Sequence, residues 1–258
     1  MNPCPCGQAD SAVSALVLGT RTFGTQTPKD DAFQQMYMAL EAWIDFWATA
    51  EMYPVNPIAA EHTGRSEEFL GDWFEKTGRR NEVVLATKHS GAGLKIWRDG
   101  APISSQTISE AIAGSLTRLK TDHIDLHQFH WPNRGSYMFR QNWTYDPSGQ
   151  NKAETPAHME DALEALQKEV DKGRIRAFGL SNESTWGTAQ WVRMPAVKGG
   201  PRVASIQNEY SLFCRMADTD LAQPWLNEYV GTLAVSPVAP GLLHGATTYG
   251  PQRHEGGT

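Results

Sequence analysis

Short apolar runs alternate along this chain with longer segments whose apolar positions recur at helical spacing. "SALVLGT" precedes "DDAFQQMYMALEAW", "IDFWATA" precedes "SEEFLGDWFEKTG", and "EVVLATK" precedes "TISEAIAGSLTRLK". "HIDLHQFH" leads through a polar insert to "PAHMEDALEALQKEVDKG". "RIRAFGLS" precedes "TWGTAQWVRMPAVKG", "RVASIQNEY" precedes "DTDLAQPWLNEY", and "GTLAVS" comes last. Met159, Leu163, Leu166 and Val170 share one helical face. Thr155 is a candidate cap for that helix, Pro156 suits its first turn, and Gly173 suits its stop. Thr107 and Glu110 have capping-box spacing, with Ile108, Ile112 and Leu119 on one face behind them. Pro195 and Pro224 each remove a backbone donor, so a break or kink is expected in the two helices that hold them.

Strand–helix alternation without hairpins predicts a parallel sheet covered by helices. A doubly wound nucleotide-binding sheet wants Gly-x-Gly-x-x-Gly after its first strand. That strand ends "LGTRTFG", and "GAGLKI" after the third strand lacks the last glycine. The pattern therefore favours an α/β fold of the TIM-barrel type. The expected organisation is a tail over 1–10, one barrel domain over 11–244, and a flexible tail over 245–258. Residues 131–157 read as a long loop or lid, whose aromatic residues should pack on something.

Composition narrows the partners. The 258 residues carry a formal net charge of −6, which offers no basic footprint for nucleic acid. No apolar run approaches the ~20 residues that span a bilayer. "MNPCPCGQAD" lacks a basic segment followed by an apolar one, so no secretory signal is expected. Cys4, Cys6 and Cys214 are too sparse for a disulfide framework, which points to the cytoplasm. "CPC" has no second pair to complete a zinc site, so no metal is expected.

In β/α barrels, chemistry collects where strands feed their loops. Those positions hold Thr20, Tyr53, Lys88, His130, Ser181 with Asn182, Gln207 and Ser236. A lysine ammonium near Tyr53 would stabilise its phenolate and lower its pKa. His130 can donate a hydrogen bond to a carbonyl oxygen. Together they suit proton transfer to an oxygen as a hydride reaches the adjacent carbon. Each alone has a plainer explanation: a solvated lysine, a satisfied core histidine, a rim aromatic.

The stretches "LVLGTRTFG", "TAEMYPVNP", "LATK", "DLHQFHWPNR", "GRIRAFGLSNES", "IQNEYSL" and "SPVAPGLL", in this order, resemble the aldo-keto reductase superfamily and its Tas-like branch. The resemblance covers Ser11 to about Leu243. It implies a (β/α)8 barrel that reduces aldehydes and ketones with NADP(H). By position it makes Tyr53 the general acid, Lys88 its tuning partner and His130 the carbonyl-orienting group. Ser181, Asn182 and Gln207 would hold the nicotinamide carboxamide. Gly19 and Thr20 would line the cofactor channel, Ser236 would approach the pyrophosphate, and Trp131 would wall the pocket for a small carbonyl substrate.

The sequence also departs from that pattern. The family's catalytic aspartate, in Asp-Thr-Ala-x-x-Tyr, is replaced by Ala48. Asp45 falls on the opposite strand face, and Glu51 is the candidate substitute nearer the rim. Val235 stands where an aromatic usually stacks on the nicotinamide, Ala246 where a lysine is usual, and Trp43 where glycine is usual. The eighth strand and final helices are missing from the pattern, which predicts open barrel edges and self-association through them. The alternatives to a working reductase are an impaired nucleotide-binding or interaction module and a non-functional fragment.

Overall fold

The computed structural model describes residues 4–5, 12–139 and 141–244. The expectations for Cys6, Ala246 and the tail over 245–258 lie outside them. A two-strand antiparallel ladder, β1 (Cys4–Pro5) with β2 (Ala12–Val13), opens the chain. The expected tail is thus paired at Cys4–Pro5.

All seven predicted strands form one parallel sheet. In chain order they are β3 (Val17–Gly19), β4 (Phe46–Ala48), β5 (Val84–His89), β6 (Ile124–Phe129), β7 (Ile175–Ser181), β8 (Val203–Glu209) and β9 (Gly231–Val235), each paired with the next. The helices are α1 (Lys29–Glu41), α2 (Arg65–Thr77), α3 (Ser105–Leu119), α4 (Glu154–Asp171), α5 (Thr185–Lys198), α6 (Met216–Asp220) and α7 (Ala222–Asn227). The architecture is a partial (β/α)8 barrel. Among the described residues no ladder joins β9 to β3. None of the described helices is long and apolar enough to cross a membrane.

Period-two alternation divides the core in two. In β5, Leu85 faces the helix layer with Trp47, Trp73, Ile108 and Ile112. Ala86 faces the other way, into an apolar cluster with Phe46, Ala48, Leu126, Ala204, Leu233 and Val13. Side chains from β4, β5, β6, β8 and β9 meet there, so the sheet curls around a common interior that β2 helps to fill. Lys88 follows Ala86 on the interior face. Thr87 points outward, where its hydroxyl donates to Glu67 on α2 at 2.5 Å, and Arg118 of α3 clamps that carboxylate at 2.7 Å.

Several local expectations change register. The capping box of α3 is Ser104 with Thr107, not Thr107 with Glu110. The Ser104 hydroxyl accepts the Thr107 N–H at 3.3 Å, and the Thr107 hydroxyl accepts the Ser104 N–H at 2.9 Å. Thr155 does not cap α4 but lies inside its first turn, while Asn151 Oδ1 accepts the Ala153 N–H at 3.0 Å. The helix therefore starts within the predicted 131–157 loop. Gly173 ends α4 as its position predicts, at φ 70°. Pro195 does not break α5, which runs on to Lys198. The break expected at Pro224 falls at Leu221, between α6 and α7. Pro224 sits in the first turn of α7, where a missing N–H costs little. The Asp220 carbonyl, four residues earlier, is taken instead by the Thr185 hydroxyl.

Trp43 is the second residue past α1, just after the cap residue Ala42, in a Schellman-type stop. Ile44 donates to the Ala39 carbonyl at 2.8 Å and Trp43 to that of Leu40 at 3.0 Å, with Trp43 at φ 61°. Glycine is favoured there because a Cβ is strained in the left-handed region. The indole is 76% exposed, so it repays little by burial. Trp43→Gly should stabilise the fold by about 0.5–1 kcal/mol after the glycine entropy cost is subtracted. Urea melts check this, and a lower midpoint for the variant would refute it.

Candidate active site

The carboxyl ends of the strands open onto a cleft of about 840 Å3. Tyr53, Lys88, His130, Trp131, Ser181, Asn182, Gln207 and Ser236 all line it. Gly19 and Thr20 do not. Gly19 is exposed, and Thr20 is buried with its hydroxyl on the Ala48 carbonyl at 3.2 Å. Thr20 thus secures β4 rather than lining the cleft, and Arg21 takes its place on the wall.

The sheet register sets the constellation. The Thr49 N–H bonds the Ala86 carbonyl at 2.9 Å and the Glu51 N–H that of Lys88 at 3.2 Å. The segment carrying Tyr53 is therefore stitched to the strand carrying Lys88. The Lys88 ammonium nitrogen lies 5.3 Å from the Tyr53 ring centre, and the His130 ring is 5.6 Å from it at 76°. The Trp131 ring is 4.9 Å from that of His130. Its indole N–H donates to the Ala92 carbonyl at 3.0 Å, which fixes the start of the long loop. Gly91 permits this approach, because a Cβ there would lie 2.3 Å from the Trp131 carbonyl oxygen. The aromatics of that loop do not all pack. Tyr137 meets Tyr145 at 6.3 Å, whereas Trp143 is 91% exposed.

Among the described residues no carboxylate pairs with Lys88. Its Nζ donates to the Thr49 carbonyl at 2.7 Å, beside Ala48 in the chain. Asp45 is committed to the Ser14 N–H at 2.9 Å. Glu51 is not the substitute. It is buried in a bidentate pair with Arg98, at 2.5 and 2.8 Å, and accepts the Ser90 N–H at 2.7 Å. Burial pushes the Lys88 amine down to about 7, and the Glu67 charge behind the strand offsets this only in part. Burial also raises the Tyr53 phenol to about 12, against a smaller lowering by Arg21. His130 is held well below its ordinary value by burial and then by the Lys88 charge, so its imidazole is neutral at pH 7.

The Glu51–Arg98 pair is the feature that the sequence did not disclose. Arg98 lies in an irregular turn at φ 47°, with no periodicity to mark it. The pair ties the Tyr53 segment to the residues after β5. A lysine at 98 keeps the charge but loses the planar fork. Arg98→Lys should cost about 1–2 kcal/mol in stability, read by chemical denaturation. An unchanged midpoint would remove this tether from the account.

Ser181, Asn182 and Gln207 adjoin through the register of β7 and β8, where Ser181 pairs with Gln207. The Ser181 hydroxyl donates to the Gln207 carbonyl at 2.8 Å. The Asn182 amide donates to the His130 carbonyl at 2.9 Å and to the Ser181 hydroxyl at 3.0 Å. Asn182 and Ser236 both sit at positive φ, 52° and 56°. Gln207 Oε1 is buried and lacks a hydrogen-bond partner among the described residues. A buried acceptor of that kind suits an amide N–H from a ligand. Val235 lines the cleft just before Ser236. No group of three or more candidate metal ligands occurs among the described residues.

The Aldo/keto reductase family profile matches residues 15–257. The chain is similar to Protein tas of Escherichia coli (strain K12), 36% identical over 239 residues, which cover 90% of this chain and 67% of that relative. It is similar also to the uncharacterized oxidoreductase YrpG of Bacillus subtilis (strain 168), 31% identical over 93% of this chain and 67% of the relative. A Babesia bovis aldo-keto reductase is 36% identical over 64% of this chain and 61% of its own length. The family consists of oxidoreductases that generally use a nicotinamide cofactor. With a profile match over most of its length, a partial parallel barrel, and these relatives, the chain belongs to the aldo/keto reductase family.

Proposed function

We propose that the cleft is a carbonyl-reductase site that takes NADPH and a small aldehyde or ketone, with turnover held low by Ala48. The carrying observation is convergence. Tyr53, Lys88 and His130 face one cleft with Gln207, whose buried Oε1 has no partner among the described residues. The nicotinamide carboxamide fits that acceptor, with Ser181 and Asn182 completing its cradle and Ser236 toward the pyrophosphate. When bound, the nucleotide supplies hydride to the carbonyl carbon. Neutral His130 donates a hydrogen bond to the substrate oxygen and orients it. Tyr53 gives that oxygen its proton. Trp131 walls the substrate side.

The weakness lies in the tuning. A general acid works best with a pKa near the operating pH, and Tyr53 at about 12 is far from it. Lys88 is only about half protonated at pH 7 and so stabilises the phenolate only in part. Val235 offers no aromatic face to the nicotinamide.

NADPH titration by fluorescence tests the binding half of the proposal, beside a thermal melt of the same sample. Saturable binding is the expected result. Gln207→Leu should weaken it by about 1 kcal/mol, roughly fivefold, through loss of one hydrogen bond. A cooperatively melting sample that binds no NADPH would overturn the proposal.

A further inference from the structure

We propose that Lys88 is an imine-forming residue, a buried amine that captures small aldehydes in the cleft as a Schiff base. Lys88 lines the cavity, and among the described residues its Nζ makes one hydrogen bond, to the Thr49 carbonyl. That bond uses an N–H and leaves a neutral amine's lone pair available. The position where a carboxylate would hold the proton on Lys88 is Ala48, inside an apolar cluster.

The other charged and titratable groups around the amine leave it in that state. Tyr53, from the segment after β4, and His130, at the end of β6, are both neutral at pH 7. Arg21 lines the cleft and is a cation. Glu51 is held by Arg98 and Ser90. Glu67 lies behind the strand with Thr87 and Arg118. Gln128, the register partner of Lys88 on β6, is uncharged. Desolvation therefore dominates and brings the amine to about 7. A lysine desolvated in this way is an activated nucleophile near neutral pH.

The chemistry needs only the aldehyde. The nitrogen lone pair attacks the carbonyl carbon, and the π electrons move to oxygen, which takes a proton from Tyr53. The nitrogen gives up a proton that restores the phenol. The carbinolamine then loses water as the C=N bond forms. Met52, Leu94, Trp131 and Phe139 on the cavity wall favour an aldehyde with a short apolar tail.

The test uses the intact chain with butanal and sodium cyanoborohydride, and no nucleotide. It is therefore independent of the reductase proposal, and either can fail alone. Trapping adds the mass of the aldehyde less one oxygen atom, and peptide mapping locates it. Lys88 should carry at least about tenfold more adduct at pH 7 than Lys198, whose side chain is 51% exposed on α5. The Lys88 adduct should grow as pH rises from 6 to 8 and then level. Ala48→Asp should cut it roughly tenfold at pH 7 and leave Lys198 unchanged. Lys88 labelled no more than Lys198 overturns the proposal from the parent chain alone, whether or not the variant folds. Undiminished labelling of Lys88 in a folded Ala48→Asp protein overturns it as well.

Discussion

Ala48→Asp should raise the rate of NADPH-dependent carbonyl reduction by about 10²-fold, the lower end of what a well-tuned acid contributes. Position 48 closes β4 and pairs in register with Ala86, two residues before Lys88 on the same strand face. The Lys88 amine already reaches the neighbouring Thr49 carbonyl at 2.7 Å, so a carboxylate at 48 falls beside it. Buried as it is, the new carboxylate is stable only when paired, and the pair holds the proton on Lys88. An ammonium 5.3 Å from the Tyr53 ring then stabilises the phenolate and draws its pKa down from about 12. The kcat of parent and variant with one small aldehyde decides the matter, together with a pH profile. Equal rates in two samples that bind NADPH alike would show that Ala48 does not limit the chemistry.

What the sequence revealed of this fold follows from the range of the forces involved. All seven strands were legible because each is a short apolar run set between helical segments. The strand-end positions were legible for the same reason: in a parallel sheet the carboxyl end of each run is fixed once the run is found. Caps were less so. Ser104 and Asn151 compete with nearby hydroxyls and amides for the same orphan N–H groups, and spacing alone does not choose between them. The fate of Glu51 was not legible at all. Its partner, Arg98, is 47 residues away in an irregular turn, and only the folded chain brings the two together. Thr20 shows the opposite error. It lies at a strand end, yet its hydroxyl turns back to the Ala48 carbonyl instead of into the cleft.

Lys88→Met should make the protein more stable at pH 7 and no more stable at pH 10.5. The Lys88 side chain is buried at 3% exposure and has no acid partner among the described residues. Its pKa falls from 10.5 to about 7 in the folded state, while the unfolded chain keeps the ordinary value. Between those two pH values the unfolded state binds more protons, so stability rises with pH across that window. Below pH 7 both states are protonated and the whole cost of burying the charge is felt. That cost is of order 4–5 kcal/mol for a shift of this size. Methionine has similar length and no charge, so the variant escapes it. The lost hydrogen bond to Thr49 takes back about 1 kcal/mol. A net gain of roughly 3 kcal/mol is therefore expected at pH 7, shrinking as pH rises and reversing slightly near 10.5. Urea melts of parent and variant at pH 6, 8 and 10 measure the difference directly, and titrating groups that do not interact with Lys88 cancel in it. A gap that stayed constant with pH would mean that Lys88 keeps its proton in the folded protein. It would then count against a neutral amine in the cleft, the condition that both slows Tyr53 and frees Lys88 to react.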